Sequence, residues 1–166
     1  MENTLRISGL SNDSIVDGPG LRFVIFTQGC DMHCEGCHNP STWDKNGGYL
    51  ITFEEVLSKI AANPLLDGVT LSGGEPFLQA RSLAELVRMF PKNLNIICYT
   101  GFTYEYLIEN ANKENGYKEL LSVTDTLIDG EFIESEKDYN LDFKGSRNQR
   151  SIDVKASMEN KKIILL

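Results

Sequence analysis

Short apolar runs rich in β-branched residues alternate along the chain with stretches whose apolar positions recur at helical spacing. Leu21 to Thr27 reads as a first core strand. Thr52-Phe53-Glu54-Glu55 is a capping box, and Phe53, Val56, Leu57 and Ile60 fall at i, i+3, i+4 and i+7, which predicts a helix with one buried face. Val69 to Leu71 predicts the next strand, followed by a helix on which Leu83, Leu86, Val87 and Phe90 share a stripe. Asn95 to Thr100 predicts a third strand. Thr103 then caps a helix carrying Tyr104, Leu107, Ile108 and Ala111 on one face, and Thr126 to Asp129 predicts a fourth strand. Further strands are expected near Ser151 to Lys155 and Lys162 to Leu165. This alternation is the signature of βα units on a largely parallel sheet. A full eightfold barrel usually needs upwards of ~200 residues, so the expected fold is α/β, an incomplete, laterally open (β/α) barrel with its chemistry at the C-terminal strand ends.

The length, 166 residues, is close to the ~150 of one average domain, which predicts a single domain over 1–166. A net charge of −8 argues against a nucleic-acid surface, which needs clustered Lys and Arg. No Walker-type phosphate loop is present, so no ribonucleotide site is expected in this chain. The four cysteines show no disulfide pairing pattern, and no signal peptide or long apolar segment is seen, which points to the cytoplasm and away from a membrane. Lys144, Arg147 and Arg150 form a basic island that reads equally as a docking or carboxylate-binding surface and as a solvated loop. The apolar end Ile163 to Leu166 reads as an edge cover, a partner contact or a plain last strand.

Cys30, Cys34 and Cys37 sit at C-x3-C-x2-C spacing within GCDMHCEGCHNPSTWD. Four thiolates would close a four-iron cluster, whereas three leave one iron with an open position where a small molecule can react. The alternative is a structural zinc ion held by the three thiolates and His33 or His38, the only two histidines of the chain. Zinc loops of this kind normally pair two knuckles, and no second ligand pair follows. Cys98, alone in the apolar run Asn95 to Tyr99, reads as a small buried hydrophobe.

Residues 69 to 76 read VTLSGGEP, a strand running into a tight loop. Gly73 and Gly74 let the backbone approach a ligand closely, and Glu75 offers a carboxylate for an amino-acid ammonium group. Alone, such a segment is better read as a tight turn with a solvated Glu.

Together, the cysteine loop and the Gly73-Gly74-Glu75-Pro76 strand end resemble the radical S-adenosylmethionine enzymes. Asp17-Gly18-Pro19-Gly20-Leu21-Arg22, Cys37-His38-Asn39-Pro40 and Thr42-Trp43-Asp44 resemble the glycyl-radical-enzyme activases within that superfamily. Asp129-Gly130-Glu131-Phe132 and Gly145-Ser146-Arg147-Asn148-Gln149-Arg150 look most like the activating proteins of the anaerobic ribonucleoside-triphosphate reductases. The matching segments run from about Asp17 to Asp153.

The resemblance implies a radical SAM type of barrel, one [4Fe-4S] cluster on Cys30, Cys34 and Cys37, and S-adenosylmethionine as the second cofactor. It implies reductive cleavage to a 5'-deoxyadenosyl radical that takes hydrogen from a glycine of the reductase, leaving a glycyl radical there. Gly73, Gly74 and Glu75 match the family's methionyl-amine site, and Gly36 and His38 flank the third ligand near the nucleoside. Thr100 and Asp129, at expected strand ends, match ligand-contacting positions of the pyruvate formate-lyase activases. Those relatives have a basic residue two positions after the aspartate and an acidic one before the threonine, where this chain has Glu131 and Tyr99. Many relatives also carry an aromatic just before the third cysteine, where this chain has Gly36. Implied partners are the reductase, in a dimer or heterotetramer, and an electron donor such as flavodoxin or ferredoxin. The competing readings are an activase for another glycyl radical enzyme such as pyruvate formate-lyase, against which the short chain speaks, and a non-catalytic zinc or iron-sulfur module. A radical enzyme acting on a small molecule would need a substrate pocket that the sequence does not suggest.

Overall fold

The computed structural model describes residues 3–166. Seven strands follow in chain order: β1 (Thr4–Ser14), β2 (Arg22–Thr27), β3 (Tyr49–Thr52), β4 (Gly68–Gly73), β5 (Asn95–Tyr99), β6 (Thr126–Asp129) and β7 (Arg150–Asp153). The helices are α1 (Phe53–Ala61), α2 (Ala80–Arg88), α3 (Tyr104–Glu109), α4 (Tyr117–Ser122) and α5 (Val154–Asn160). The strands form one sheet in the order β3-β1-β2-β4-β5-β6-β7. The inner ladders β2–β4, β4–β5 and β5–β6 are parallel, while β1 runs antiparallel to β2 and β3, and β7 to β6. The expectation of a largely parallel sheet therefore holds for its centre and fails at both flanks. Those flanks carry weak signals: in β1 only Leu5 and Ile7 alternate inward before bulges interrupt the ladder, and β3 has four residues.

Side chains alternate across the sheet with period two. Phe23, Ile25, Val69, Leu71, Ile96, Cys98 and Leu127 face the helices and share one buried cluster with Phe53, Val56, Leu83, Leu86, Leu107 and Leu120. The intervening Val24, Ile97 and Ile128 are equally buried on the opposite face, outside that cluster. The segment 15–21 lies against that face at Arg22, Thr70 and Ile97. Gly18 fits there because a Cβ on it would press on the side chains of Arg22 and Ile97, and Thr70 Oγ1 donates to the Asp17 carbonyl at 2.8 Å. Arg22 is 1 % exposed. Its guanidinium donates to Thr70 Oγ1, to the carbonyls of Pro19, Val69 and Asn95, and to Asn95 Oδ1, at 2.7 to 3.1 Å. A buried cation thus joins three strands through neutral acceptors, and burial lowers its pKa.

Local signals set the helix starts. Thr52 Oγ1 accepts from Glu55 N, Thr103 Oγ1 from Tyr106 N and Asp153 Oδ1 from Ala156 N. The last of these corrects the strand expected to reach Lys155, because the Asp153 cap turns the chain into α5. Helix α3 is also shorter than its apolar stripe suggests: it ends at Glu109, Ile108 is exposed, and Ala111 lies beyond it. Asn110, Asn112 and Asn115 supply the reason, since their side chains bond nearby backbone and offer it an alternative to the helix. In place of a strand over Lys162 to Leu165, a single bridge joins Leu165 to Ile152, flanked by two backbone hydrogen bonds along the outer edge of β7. Among the described residues, no helix is long and apolar enough to cross a membrane.

Candidate functional site

The C-terminal ends of β2, β4, β5 and β6 open onto one cavity of about 530 Å³. Such ends are where α/β folds place ligands, because loops of independent sequence converge there on a fixed frame. Cys30, Cys34, Cys37 and His38 come from the loop after β2, Gly73, Gly74 and Glu75 from β4, and Thr100 from β5. Of the cluster and cofactor residues expected from the resemblance, Gly36 and Asp129 do not line this cavity.

The cysteine loop is pinned at its stem. Gly29 N donates to Thr42 O at 2.6 Å and Cys30 N to Trp43 O at 3.2 Å. The Gln28 amide donates to the carbonyls of Ser41 and Asp44. Within the loop, His33 and Gly36 adopt left-handed φ of 48° and 76°. A Cβ at Gly36 would overlap the Glu134 carboxylate and press on Phe132. A side chain at position 36 would therefore have to displace Glu134 and adopt a strained left-handed φ. The Phe132 ring lies on the cavity wall, 5.1 Å from that of His38. His33 is stacked on Trp43 at 4.4 Å.

All three loop cysteines are free, half-buried thiols, whereas Cys98 is fully buried in the core as expected. Burial pushes the Cys30 and Cys34 thiols up, and neighbouring carboxylates and thiols add to it; backbone N–H groups at Met32 and His33 oppose the shift at Cys30, and that of Phe132 at Cys34. A bound iron centre reverses this balance, since a coordinating thiol is deprotonated outright. Among the described residues, no three His, Cys, Asp or Glu side chains converge on one point as a lone metal ion requires. A cluster instead takes each thiolate on a different iron. Three thiols sharing one cavity, with Cys98 elsewhere, fit such a cluster.

Gly73, at φ 97°, and Gly74 turn their Cβ positions toward the backbone of Thr27 and Gly29, so their lack of side chains serves protein packing as well as the cavity. Gly74 N donates to Thr27 O at 2.8 Å and Glu75 N to Gly29 O at 2.7 Å, which fastens this segment to the cysteine loop. Glu75 is far from a solvated turn residue. It is 2 % exposed, with Oε1 accepting from Phe77 N at 3.0 Å and Thr100 Oγ1 at 2.8 Å, and Oε2 from Gly101 N at 2.8 Å. Burial pushes its carboxyl up to about 7 against those three donors.

Asp129 is buried at the end of β6, with its carboxylate turned to Tyr104 N, Arg150 Nε and Arg150 Nη2 at 2.8, 3.0 and 2.5 Å. It borders a neighbouring groove instead of the cysteine cavity, while the next residue, Gly130, does line that cavity. Arg150 also pairs with Glu105 at 2.6 Å. These bonds raise the Arg150 pKa and lower that of Glu105. The basic island is therefore divided: Arg150 is a strut between β6, β7 and α3, Lys144 lines the cavity, and Arg147 is exposed. Sequence reasoning missed Tyr99, Phe132, Phe143 and Gln149 as wall residues. For Tyr99 a signal existed, since it alternates with core-facing Cys98 at a strand end.

Fold and site together define a protein of the α/β class with three free thiols gathered in one cavity at the C-terminal ends of parallel strands. The model of the 4Fe-4S single cluster domain family matches residues 16–152. The anaerobic ribonucleoside-triphosphate reductase-activating protein of Vibrio cholerae is 35% identical over 146 residues, covering 81% of this chain and 89% of that protein. The pyruvate formate-lyase-activating enzyme of Clostridium pasteurianum is 35% identical over 150 residues, or 86% of this chain, which spans 59% of that enzyme's length. A crystal structure of QueE from Escherichia coli aligns over 60% of this chain and 54% of its own at 18% identity and a TM-score of 0.45. The chain belongs to the 4Fe-4S single cluster domain family and, within it, to the family that includes the anaerobic ribonucleoside-triphosphate reductase-activating proteins. The cofactor that defines this family is a single 4Fe-4S cluster.

Proposed function

We infer that this chain activates an anaerobic ribonucleoside-triphosphate reductase by creating a glycyl radical on it. The observation that carries the reading is the single cavity shared by Cys30, Cys34, Cys37 and the Gly73-Gly74-Glu75 segment, with the two segments hydrogen-bonded to each other. Support for this partner is the 35% identity to a reductase-activating protein of which the chain covers 89%. The equal identity to a pyruvate formate-lyase-activating enzyme makes that lyase the second reading.

In this reading Cys30, Cys34 and Cys37 hold the cluster, and the cavity beside them takes S-adenosylmethionine. When bound, these cofactors supply one-electron cleavage of the C5'–S bond to methionine and a 5'-deoxyadenosyl radical, which takes a hydrogen atom from the partner's glycine α-carbon. The electron comes from a donor such as flavodoxin or ferredoxin. Gly73 and Gly74 form the floor against which the methionyl end rests, and Glu75, tied to Thr100 and Gly101, keeps that floor in register with β5. Phe132 and His38 offer the adenine a ring surface in place of an aromatic at position 36. Asp129 acts from behind, holding Arg150 and the start of α3. The sheet is read as an incomplete, laterally open barrel, because β3 and β7 end the strand order without pairing to each other. Such an opening admits a glycine-bearing loop to within abstraction range.

The test is electron paramagnetic resonance on the anaerobically reconstituted protein with the reductase, S-adenosylmethionine and a strong reductant. A glycyl doublet that is lost in C30A, C34A or C37A supports the reading. Cofactor cleavage without a doublet on the reductase, but with one on pyruvate formate-lyase, selects the second partner. Neither cleavage nor doublet, with zinc in the purified protein, overturns both.

A further inference from the structure

Residues 137–146 leave and rejoin the body of the protein at one point. Lys137 and Ser146 form an antiparallel bridge, and beneath it Arg147 N donates to Glu136 O at 2.9 Å. The loop closed in this way reaches the cavity, which Leu141, Phe143, Lys144 and Gly145 help to line. Its tip is fastened to the sheet by a side chain: the Tyr99 hydroxyl, at the end of β5, donates to the Phe143 carbonyl at 2.6 Å. Phe143 itself holds a φ of 61°. A bulky residue keeps that left-handed conformation only where its surroundings impose it. The Tyr99 hydroxyl is protonated at neutral pH, as an ordinary tyrosine is, and burial pushes its pKa further up.

The loop brings charge as well as a wall. Lys144 is the one Lys or Arg among the residues lining the cavity, and among the described residues it pairs with no carboxylate. The other ionisable groups of that wall are Asp17, Glu75, His38, Tyr99 and the three thiols. The one Lys or Arg that this cavity offers to the carboxylate of an entering amino-acid group therefore lies on this loop.

We propose that Tyr99 is a positioning residue that latches residues 137–146 as a flap, setting the Lys144 ammonium in the cavity to take the carboxylate of a bound amino-acid group. The ligand half rests on the cavity's holding S-adenosylmethionine, as inferred above; the latch rests on the geometry of the protein alone.

Hydrogen exchange read by mass spectrometry on cluster-loaded wild type and Y99F, without cofactor, tests the latch. Phe keeps the ring in the wall and removes only the donor. Exchange across residues 137–146 is expected to rise by about 5-fold, the loss of one ordinary hydrogen bond, with the strands unchanged. Affinities for S-adenosylmethionine and its decarboxylated analogue test the ligand half. Wild type is expected to prefer the carboxylate-bearing form, and both Y99F and K144M to narrow that preference, with only Y99F speeding exchange. Flap exchange in Y99F as slow as in wild type overturns the latch. An unchanged preference in K144M overturns the role of the ammonium. A wild type that binds neither compound overturns the ligand half together with the proposed function, while exchange still decides the latch.

Discussion

The Thr100 hydroxyl donates to Glu75 Oε1 at 2.8 Å, across the ends of two adjacent parallel strands. With Gly101 N on Oε2 and Phe77 N on Oε1, it holds a carboxylate that burial alone would force to protonate. The folded pKa of about 7 stands above the ordinary 4.5. Between those values the folded protein binds a proton that the unfolded chain does not. The stability this supplies is therefore fully present below pH ~4.5 and lost as pH rises through ~7, a change on the order of 3 kcal/mol. Urea unfolding of metal-free wild type and E75Q at pH 5 and 8 measures it: wild type should lose stability between the two, and the difference from E75Q should shrink or change sign. Parallel pH curves for the two proteins would show that Glu75 keeps its solution pKa.

The four cysteines should separate into two groups. C30A, C34A and C37A are each expected to lose most of the iron and the visible charge-transfer absorption after anaerobic reconstitution, since two thiolates are too few to hold the cluster. C98A, whose thiol lies in the helix-side core, should keep both and lose about 1 kcal/mol of stability, the scale of one small group removed from a packed interior. Iron analysis and thermal unfolding on the same samples read the two effects.

Legibility in the sequence followed the range of the interactions. The α1 cap at Thr52, the β4 run into Gly73 and the cysteine loop are local, and their residues sit where a local reading puts them. Thr100 was legible as a strand end, but its bond to Glu75 spans 25 residues and exists only because β4 and β5 pair. Asp129 shows the same limit more strongly. Its strand end was readable, yet the cation that turns its carboxylate away from the cavity is Arg150, on an antiparallel strand. Glycine had two readings that only structure separates: at Gly73 and Gly74 the absent side chain admits Thr27 and Gly29, and at Gly36 it admits Glu134 and Phe132.

Position 36 should therefore resist substitution. An alanine there meets a φ of 76°, which costs an L-residue roughly 1 kcal/mol, and its Cβ also displaces Glu134. G36A is expected to lower the unfolding temperature by a few degrees and reduce cluster incorporation. G36F should be worse, because Phe132 already occupies that space. Shortening the obstruction with E134A should recover part of the loss in G36A. A G36F protein with normal melting and full iron content would contradict this packing.

The Asp129–Arg150 pair supplies the sharpest separation between holding the site and forming it. Asp129 is 1 % exposed, so removing the guanidinium leaves a buried carboxylate with only Tyr104 N as donor. Breaking a buried pair costs about 3 kcal/mol because one charge stays uncompensated. R150M should therefore lose about that much stability, and D129N less, because Arg150 keeps its pair with Glu105. The double variant should lose clearly less than the sum, since neither charge is then stranded. Arg150 faces Glu105 and Asp129 and does not line the cysteine cavity, so the iron content of each folded variant should match wild type at a temperature well below its melting point. Additive stability losses would mean that the two residues act independently. Iron loss in folded D129N would place the carboxylate in the cluster site itself.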